Sequence, residues 1–235
     1  MERIDKIIAS QTNYSRKDVK KLISQKKVRV NDEIVKRPEQ KFGEQQDTIY
    51  IDENKLDMKK HIYLVLNKPQ GYISATEDRT AKTVLDLVLE QYMRKGLFPA
   101  GRLDKDTTGM MIITDDGEFA HNILAPRKHI EKTYRVQIDI DITEEMKEKF
   151  KQGIILKDHV CCPATIVVED KNTALITITE GKYHQIKRMF GCFGAKVVRL
   201  HRISMGGLQL PSDLKEGQCR ELTAEELEKV CKRDK

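Results

Sequence analysis

A segment of nine residues with a glycine at each end is the stretch of this chain whose side chains are best placed for chemistry. The segment GRLDKDTTG runs from Gly101 to Gly109 and contains two carboxylates, Asp104 and Asp106, with a lysine between them. Its composition favours a turn, and the apolar run that begins at Met110 predicts a strand directly after it. A side chain on a loop held between rigid elements is both exposed and fixed in position. An aspartate there is a candidate nucleophile.

Two interpretations of this loop follow from its residues alone. The plainer one is a surface turn in which Asp and Thr side chains satisfy backbone donors. The other is an aspartyl-phosphate hydrolase with Mg²⁺, because Asp104 and Asp106 have the nucleophile–x–acid spacing of such enzymes. That nucleophile must follow a buried apolar strand, whereas here the apolar run follows Asp104. Asp115 and Asp116 come too soon for a second strand and predict a helix cap instead. We therefore reject the phosphatase interpretation, and the surface turn stays open.

The residues around this loop predict an α+β domain with a mixed, mostly antiparallel sheet and flanking helices. Residues 168–174 (VEDKNTA) predict a hairpin loop between two alternating strands. There is no regular βαβ alternation and no internal repeat. The predicted strands are Tyr63–Leu66, Met110–Thr114, Thr133–Ile138, Ala164–Val168, Ala174–Thr179 and Lys196–His201, and the predicted helices are Thr83–Met93, Gly117–Leu124, Thr143–Gln152, His184–Cys192 and Ala224–Cys231.

A small basic domain precedes the larger one. Residues 1–41 contain 12 Lys and Arg against 6 Asp and Glu, whereas the rest of the chain has 31 of each. A helix at Glu2–Ala9, a capping-box-like helix start at Ser15, a hairpin around Asn31-Asp32 and a strand at Thr48–Ile51 predict a small α/β module. The charged segment 53–60 predicts a linker, so we place the domains at residues 1–58 and 59–235. Lysines on a solvated helix face are the plainer interpretation of this charge. Its concentration in one segment favours contact with nucleic acid.

The composition argues against several other classes of protein. No run approaches the ~18 apolar residues of a membrane span. The first residues lack the features of a secretory signal, so a cytoplasmic location without membrane contact is expected. The five cysteines form no spaced metal-binding pairs and predict free thiols in a reducing compartment.

Four motifs in order resemble the pseudouridine synthases, in the branch that modifies bacterial ribosomal RNA. GRLDKDTTG resembles the catalytic loop of this family. It is preceded by NKPQGY (residues 67–72) and followed by KTYRV (132–136) and EGKYHQIKRMF (180–190). The small basic domain at residues 1–58, which we call the head, resembles the S4-type RNA-binding domain that this branch carries at its N-terminus. The resemblance covers nearly the whole chain and, within the branch, favours members that act on the small ribosomal subunit.

The resemblance implies roles for three catalytic residues. A uridine flipped out of its stack would enter a pocket between the sheet and the loops. Asp104 aligns with the family's essential aspartate, which acts on the ribose as a nucleophile or through a glycal intermediate. Lys187 aligns with the basic residue paired with it, where many relatives have arginine. Tyr134 aligns with the tyrosine that stacks on uracil and helps to remove the C5 proton, although on sequence alone it fits a half-buried strand equally well.

Other residues are implied to support this site or to bind RNA. Arg102 would fill the gap left by the flipped base or hold a phosphate, and Lys68 and Pro69 would support the site. Residues 180–202 contain six basic residues against one acidic residue, which predicts a positively charged cleft. The residues expected to bind RNA are Arg102, Lys68, His184, Gln185, Arg188, Arg16, Lys17, Lys20, Lys21, Lys27 and Arg29.

These features predict a monomeric isomerase that converts one uridine of ribosomal RNA to pseudouridine with no cofactor and no metal. The expected target is uridine 516 of 16S RNA, in naked RNA or an assembling small subunit. A synthase for large-subunit (23S) RNA is one alternative, because related synthases share every motif. A non-catalytic ribosome-assembly factor is another, but a protein that only binds RNA has no need of Asp104, Tyr134 and Lys187 together.

Overall fold

The structure is a computed structural model that describes residues 1–43 and 46–232. The chain divides into two compact units. The first comprises Met1–Ile62 together with Val88–Leu97, and the second comprises Tyr63–Leu87 and the chain from Phe98 onward. The boundary after residue 58 stays a prediction, since residues 88–97 cluster with the N-terminal unit.

The N-terminal unit packs two helices against short strands around one apolar core. Its second helix begins with a capping box: the Ser15 hydroxyl accepts a hydrogen bond from the Asp18 N–H, and the Asp18 carboxylate accepts one from the Ser15 N–H. The predicted hairpin around Asn31-Asp32 is confirmed by the antiparallel pairing of its two strands. The elements are β1 (Glu2–Arg3), α1 (Ile4–Gln11), α2 (Arg16–Ser24), β2 (Val28–Val30), β3 (Glu33–Ile34), β4 (Lys41–Phe42), β5 (Ile49–Ile51) and β6 (Asn54–Lys55). The order β3-β2-β5-β6 forms one sheet, and β1 pairs with β4.

The second unit is built on a nine-stranded mixed sheet. Its strands are β7 (Tyr63–Lys68), β8 (Phe98–Ala100), β9 (Thr108–Thr114), β10 (Lys132–Ile138), β11 (Thr165–Asp170), β12 (Thr173–Ile178), β13 (Val197–Met205), β14 (Leu208–Gln209) and β15 (Cys219–Glu221). The order is β11-β12-β10-β13-β9-β7-β15, with β14 on β13 and β8 on β9. Among these described strands, only β9 and β13 pair in parallel, so the predicted mostly antiparallel sheet is confirmed.

Helices flank this sheet: α3 (Gly117–Leu124), α4 (Glu144–Gln152), α5 (Gln185–Gly191) and α6 (Ala224–Cys231). Buried residues of α3 and α6 share a core with the sheet, while Phe150 of α4 packs on Phe190 of α5 with 4.9 Å between ring centroids. Within the described ranges, no helix is both long enough and apolar enough to span a membrane.

The predicted helix Thr83–Met93 is wrong. The structure has two short 3-10 helices, Val84–Leu87 and Glu90–Tyr92, separated by Leu89 in an extended conformation. The apolar residues that suggested one helix face are divided between the two units, because the chain passes from one to the other at residue 88.

Candidate active site

The loop between β8 and β9 is held from inside by Lys68, the last residue of β7. Its ammonium donates to the carbonyl oxygens of Thr107 (2.8 Å) and Asp104 (3.1 Å), with further contacts to those of Pro69 and Lys105. The Lys68 side chain is fully buried. The motif that precedes the loop in sequence therefore fixes the backbone on which Asp104 lies.

The loop ends at Gly109, where β9 meets β13. Gly109 has φ +100°, and a Cβ added there would lie 2.3 Å from the carbonyl oxygen of Arg202. No L side chain fits between these two backbones. Gly109 therefore allows β9 to approach β13 closely enough for the parallel pairing.

Helix α5 brings Lys187 to the two carboxylates of the loop. The Lys187 ammonium lies 2.7 Å from Asp104 Oδ2 and 2.6 Å from Asp106 Oδ1. Burial acts to lower the pKa of Lys187, but the hydrogen bonds and charges of both carboxylates outweigh it and raise that pKa above its ordinary value. Burial likewise opposes ionisation of Asp106, yet Lys187 keeps the pKa of Asp106 below its ordinary value. Lys187 therefore joins Asp104 and Asp106 in one ion-pair cluster.

Tyr134 of β10 reaches the same site from the sheet. It is buried, and its register partner on β13 is Arg202. The Arg202 guanidinium donates to the Met110 carbonyl (2.6 Å) and approaches the Tyr134 hydroxyl at 3.5 Å. Only 2% of Arg202 is exposed, and its Nη2 has no hydrogen-bond partner among the described residues. A buried cation thus lies beside the tyrosine.

Two further cations are buried near Arg202. Burial lowers the pKa of Lys68 to about 8, while Asp106 and Asp104 act to raise it. Burial, together with the charge of Arg202, lowers the pKa of Lys132 to about 8. Within a low-dielectric interior these cations favour negative charge in the adjacent site.

A cavity of about 320 Å³ is lined by Asp104, Tyr134 and Lys187. That volume is at the lower end of the range for small-molecule pockets, roughly 300–1,000 Å³. It suits one nucleoside better than a larger ligand. The residues around it that bear on the chemistry are Arg102, Asp104, Tyr134, Tyr183, His184 and Lys187.

The three predicted catalytic residues line one cavity. Of the residues expected to bind RNA, some are exposed at that cavity and others are buried. Arg102 is exposed at the cavity, and His184 Nε2 lies 3.4 Å from Asp104 Oδ1. Lys68, however, has no exposed surface and supports the loop, so it does not contact RNA. Gln185 is also buried, and its amide bonds Glu180 and the backbone of Lys182, which fixes the turn before α5.

The remaining predicted RNA-binding residues differ in how free their charges are. Arg188 is paired with both oxygens of Asp158. On the N-terminal unit, Lys27 lies 3.5 Å from Asp52, and the Arg29 guanidinium is 3.9 Å from the Tyr50 ring centroid. The α2 residues are exposed and form no ion pair within the described part of the chain: Arg16, Lys17, Lys20 and Lys21.

Three residues of the site were not expected from the sequence: Asp106 as a partner of Lys187, Arg202 behind Tyr134, and Tyr183 at the cavity mouth. Asp106 lies two residues after Asp104 in the segment GRLDKDTTG, and this spacing was the sequence feature that could have indicated a shared partner. Arg202 had only its place in a basic segment, because strand register is needed to pair it with Tyr134. Within the described residues, no group of His, Cys, Asp and Glu side chains is arranged to hold a metal ion.

Comparison with known proteins gives two family matches. The family described as RNA pseudouridylate synthase matches residues 62–191, and the S4 domain matches residues 2–48. Ribosomal small subunit pseudouridine synthase A of Escherichia coli (strain K12) is 40% identical over 97% of this chain and 99% of its own length. An uncharacterized RNA pseudouridine synthase of Bacillus subtilis (strain 168) is 40% identical over 96% of both chains. A crystal structure of a pseudouridylate synthase, 37% identical, superposes with a TM-score of 0.69 over 98% of this chain and 100% of that one.

Proposed function

This chain belongs to the RNA pseudouridylate synthase family, and we propose that it converts a uridine of small-subunit ribosomal RNA to pseudouridine with Asp104 as nucleophile. The observation that carries the proposal is the position of Asp104. Its carboxylate is paired with Lys187, and both residues line a nucleoside-sized cavity; the loop that carries Asp104 is fixed by Lys68. A carboxylate held on a fixed loop beside a cation is positioned to attack.

The proposed reaction is an isomerisation in which no atom is gained or lost. The Asp104 carboxylate attacks C1′ of the ribose, and the bond from C1′ to N1 breaks with its electron pair going to the uracil. The uracil turns, its C5 attacks C1′, and Asp104 leaves. The proton on C5 is then removed with the help of Tyr134, and N1 gains a proton.

Charge around the cavity supports this sequence of steps. The uracil carries negative charge between departure and reattachment, and the buried Arg202 lies beside Tyr134 on the sheet side of the site. Preorganised cations stabilise a developing anion without reorganisation of solvent. We propose that Arg202 also holds the Tyr134 hydroxyl toward the proton it must accept.

Two lines support the small ribosomal subunit as the substrate. Proteins named ribosomal small subunit pseudouridine synthase A match nearly the whole chain, head included. The S4 match and the exposed cations of α2 give the head the charge needed to bind a phosphate backbone. We propose uridine 516 of 16S RNA as the target.

The chemical part of the proposal is tested with Asp104→Asn and with Asp106→Asn as its matched control. Both substitutions remove one carboxylate of the same loop, and both remove a contact of Lys187. We expect Asp104→Asn to lower kcat by at least about 10³-fold, as removal of a nucleophile does, while Asp106→Asn keeps measurable turnover. Pseudouridine is quantified by carbodiimide adduct formation and primer extension. Full activity of Asp104→Asn would rule out the proposed nucleophile.

The target is tested by mapping pseudouridine in both ribosomal RNAs from cells with and without the gene. We expect one site to disappear from the small-subunit RNA and to return when the wild-type gene is restored. Loss of a site in the 23S RNA instead would transfer the same chemistry to the large subunit. Unchanged maps would favour a binding protein without catalytic activity.

A further inference from the structure

Two aromatic rings are stacked at the mouth of the cavity. Tyr183 and His184 lie with ring centroids 3.9 Å apart and planes inclined by 18°. One face of the Tyr183 ring packs on His184, while 75% of the residue is exposed to solvent. Within residues 1–43 and 46–232, His184 is the only ring that stacks on it. We call this pair the Tyr183–His184 platform.

The platform is held by the turn that carries it. Glu180 accepts hydrogen bonds from the Gln185 amide and from the Cys162 N–H, both at 2.9 Å. The Gln185 amide oxygen in turn accepts the Lys182 N–H at 2.9 Å. These contacts, of which the one between Gln185 and Glu180 is buried, fix both ends of the segment that presents the two rings. A solvent-exposed ring on such a turn is preorganised, because little conformational freedom is lost when a ligand stacks on it.

The backbone of the platform is also unusual. His184 adopts a left-handed conformation (φ 49°, ψ 32°), which is uncommon for residues other than glycine, although histidine enters it more often than most. This conformation is combined with a ring that stacks outward on Tyr183 and an imidazole Nε2 that lies 3.4 Å from Asp104 Oδ1. Strained residues of this kind concentrate at functional sites. Within the platform, the His184 ring therefore lies next to the Asp104 carboxylate, and the Tyr183 ring is stacked on His184.

We propose that the Tyr183–His184 platform binds the nucleobase adjacent to the uridine that enters the cavity. The inference rests on the proposed function, since it takes the cavity as the uridine pocket. Every nucleobase presents an apolar face, and unstacked RNA bases bind to aromatic side chains in this way. When the target uridine leaves its stack, its neighbour loses a stacking partner, and Tyr183 replaces it. The exposed cations Arg102 and Lys182 line the same cavity, and their charge suits the phosphates that join the two nucleotides.

The first test compares Tyr183→Leu with Tyr183→Phe in the full-length enzyme. Leucine keeps an apolar side chain but removes the ring, whereas phenylalanine keeps the ring and removes only the hydroxyl. With a ribosomal RNA fragment as substrate, we expect Tyr183→Leu to raise KM about tenfold with kcat nearly unchanged. Tyr183→Phe should stay within about twofold of wild type. Val167→Ala, which trims another exposed apolar side chain on β11, is the matched control and should change neither constant.

The second test reads stacking directly and needs no turnover. An RNA oligonucleotide carrying 2-aminopurine next to the uridine is titrated with Asp104→Asn protein, with and without Tyr183→Leu. We expect quenching of the 2-aminopurine fluorescence with Tyr183 present and its loss with leucine. Wild type that converts no uridine would contradict the proposed function alone, because this binding assay would still test the platform.

Three results would overturn the platform. One is a Tyr183→Leu enzyme with the KM and the quenching of wild type. Another is an equal loss in the leucine and phenylalanine variants, which would assign the effect to the Tyr183 hydroxyl. The third is a defect that occurs only in cell extract while purified RNA is bound and modified normally, which would assign Tyr183 to contact with a protein partner.

Discussion

At the scale of single residues, burial of the Lys132 ammonium destabilises the folded protein, and the contacts of Lys132 do not offset this. Only 5% of it is exposed, its ammonium donates to one carbonyl oxygen, that of Ile130, and Arg202 repels it. Burial lowers the pKa of Lys132 from 10.5 to about 8. Between these values the unfolded chain binds more protons than the folded chain, so stability rises with pH through this window. Below pH 8 both states are protonated and the whole penalty applies, which is about 3 kcal/mol.

We therefore expect Lys132→Met to raise the free energy of unfolding at pH 7. A gain of about 1–2 kcal/mol is expected, less than the full penalty because the Ile130 carbonyl loses its donor. The gain should shrink as pH rises from 8 to 10.5, because lysine becomes neutral in both states only above the pKa of the unfolded chain. Urea unfolding followed by circular dichroism at pH 7 and pH 9.5 measures the difference. Lys149→Met on the exposed surface of α4 is the control, and a Lys132→Met protein less stable than wild type at pH 7 would contradict the argument.

How far the site was predictable depends on where each residue's partner lies. Asp104, Tyr134 and Lys187 stand in motifs whose order and residue types are visible in the chain, and the structure brings their side chains to one cavity. The sequence suggested two roles for Lys68, support of the loop and contact with RNA. Its complete burial favours support, and burial is not visible in the sequence. Arg202 had only its place in a basic segment, and Tyr183 stood in a motif that gave it no role. The strand register of Arg202 and the exposure of Tyr183 arise from tertiary structure and not from neighbours in sequence.

At the scale of elements, the parallel pair β9–β13 determines where the loop that carries Asp104 ends. Gly109 lies at φ +100°, and the nearest atoms to an added Cβ are the Arg202 carbonyl oxygen and amide nitrogen, at 2.3 and 2.7 Å. Both belong to backbone, which cannot move aside without breaking the pairing. Apolar runs in the sequence predicted each of these two strands in part. The parallel contact between them could not be predicted, since nothing in either strand's own sequence specifies a distant partner.

We expect Gly109→Ala to destabilise the second unit by about 3 kcal/mol, from strain and steric overlap combined. Activity should fall even where the protein folds, because the loop that carries Asp104 and the strand that carries Arg202 separate. Gly117→Ala is the matched control: no atom lies within 4 Å of the added Cβ, and its φ is outside the positive range. That variant should be neutral or slightly more stable. Thermal unfolding and kcat of the two variants decide, and equal stability would show that β13 yields at Arg202.

At the scale of the whole molecule, the charge is divided as the sequence indicates, with the excess on the N-terminal unit. The extent of that unit was less predictable. Residues 88–97 join it through Arg94, whose guanidinium donates to the Gln11 amide oxygen (3.2 Å) and to the carbonyls of Lys59 and Lys60. These contacts link distant parts of the chain and leave no local pattern. Deletion of residues 1–58 would remove Gln11 and disturb this packing, so charge substitution tests the head's function more cleanly than truncation.

We expect the triple substitution Lys17→Gln, Lys20→Gln, Lys21→Gln to weaken RNA binding while kcat stays unchanged. The three side chains are exposed on α2, and the described residues give them no ion-pair partner, so their removal should leave the fold intact. Removing one cation from a phosphate reduces the slope of log K against log salt concentration by about 0.7–0.9, so removing three lowers it by roughly 2–3.

The matched control changes the same charge on α4 with Lys147→Gln, Lys149→Gln, Lys151→Gln. Affinity is measured by filter binding from 50 to 300 mM salt, roughly the range over which phosphate contacts dominate binding. If both triples change the slope equally, net charge and not the head attracts the RNA. If only the α2 triple lowers it, the N-terminal unit is the part of the molecule that holds the ribosomal RNA while the second unit modifies it.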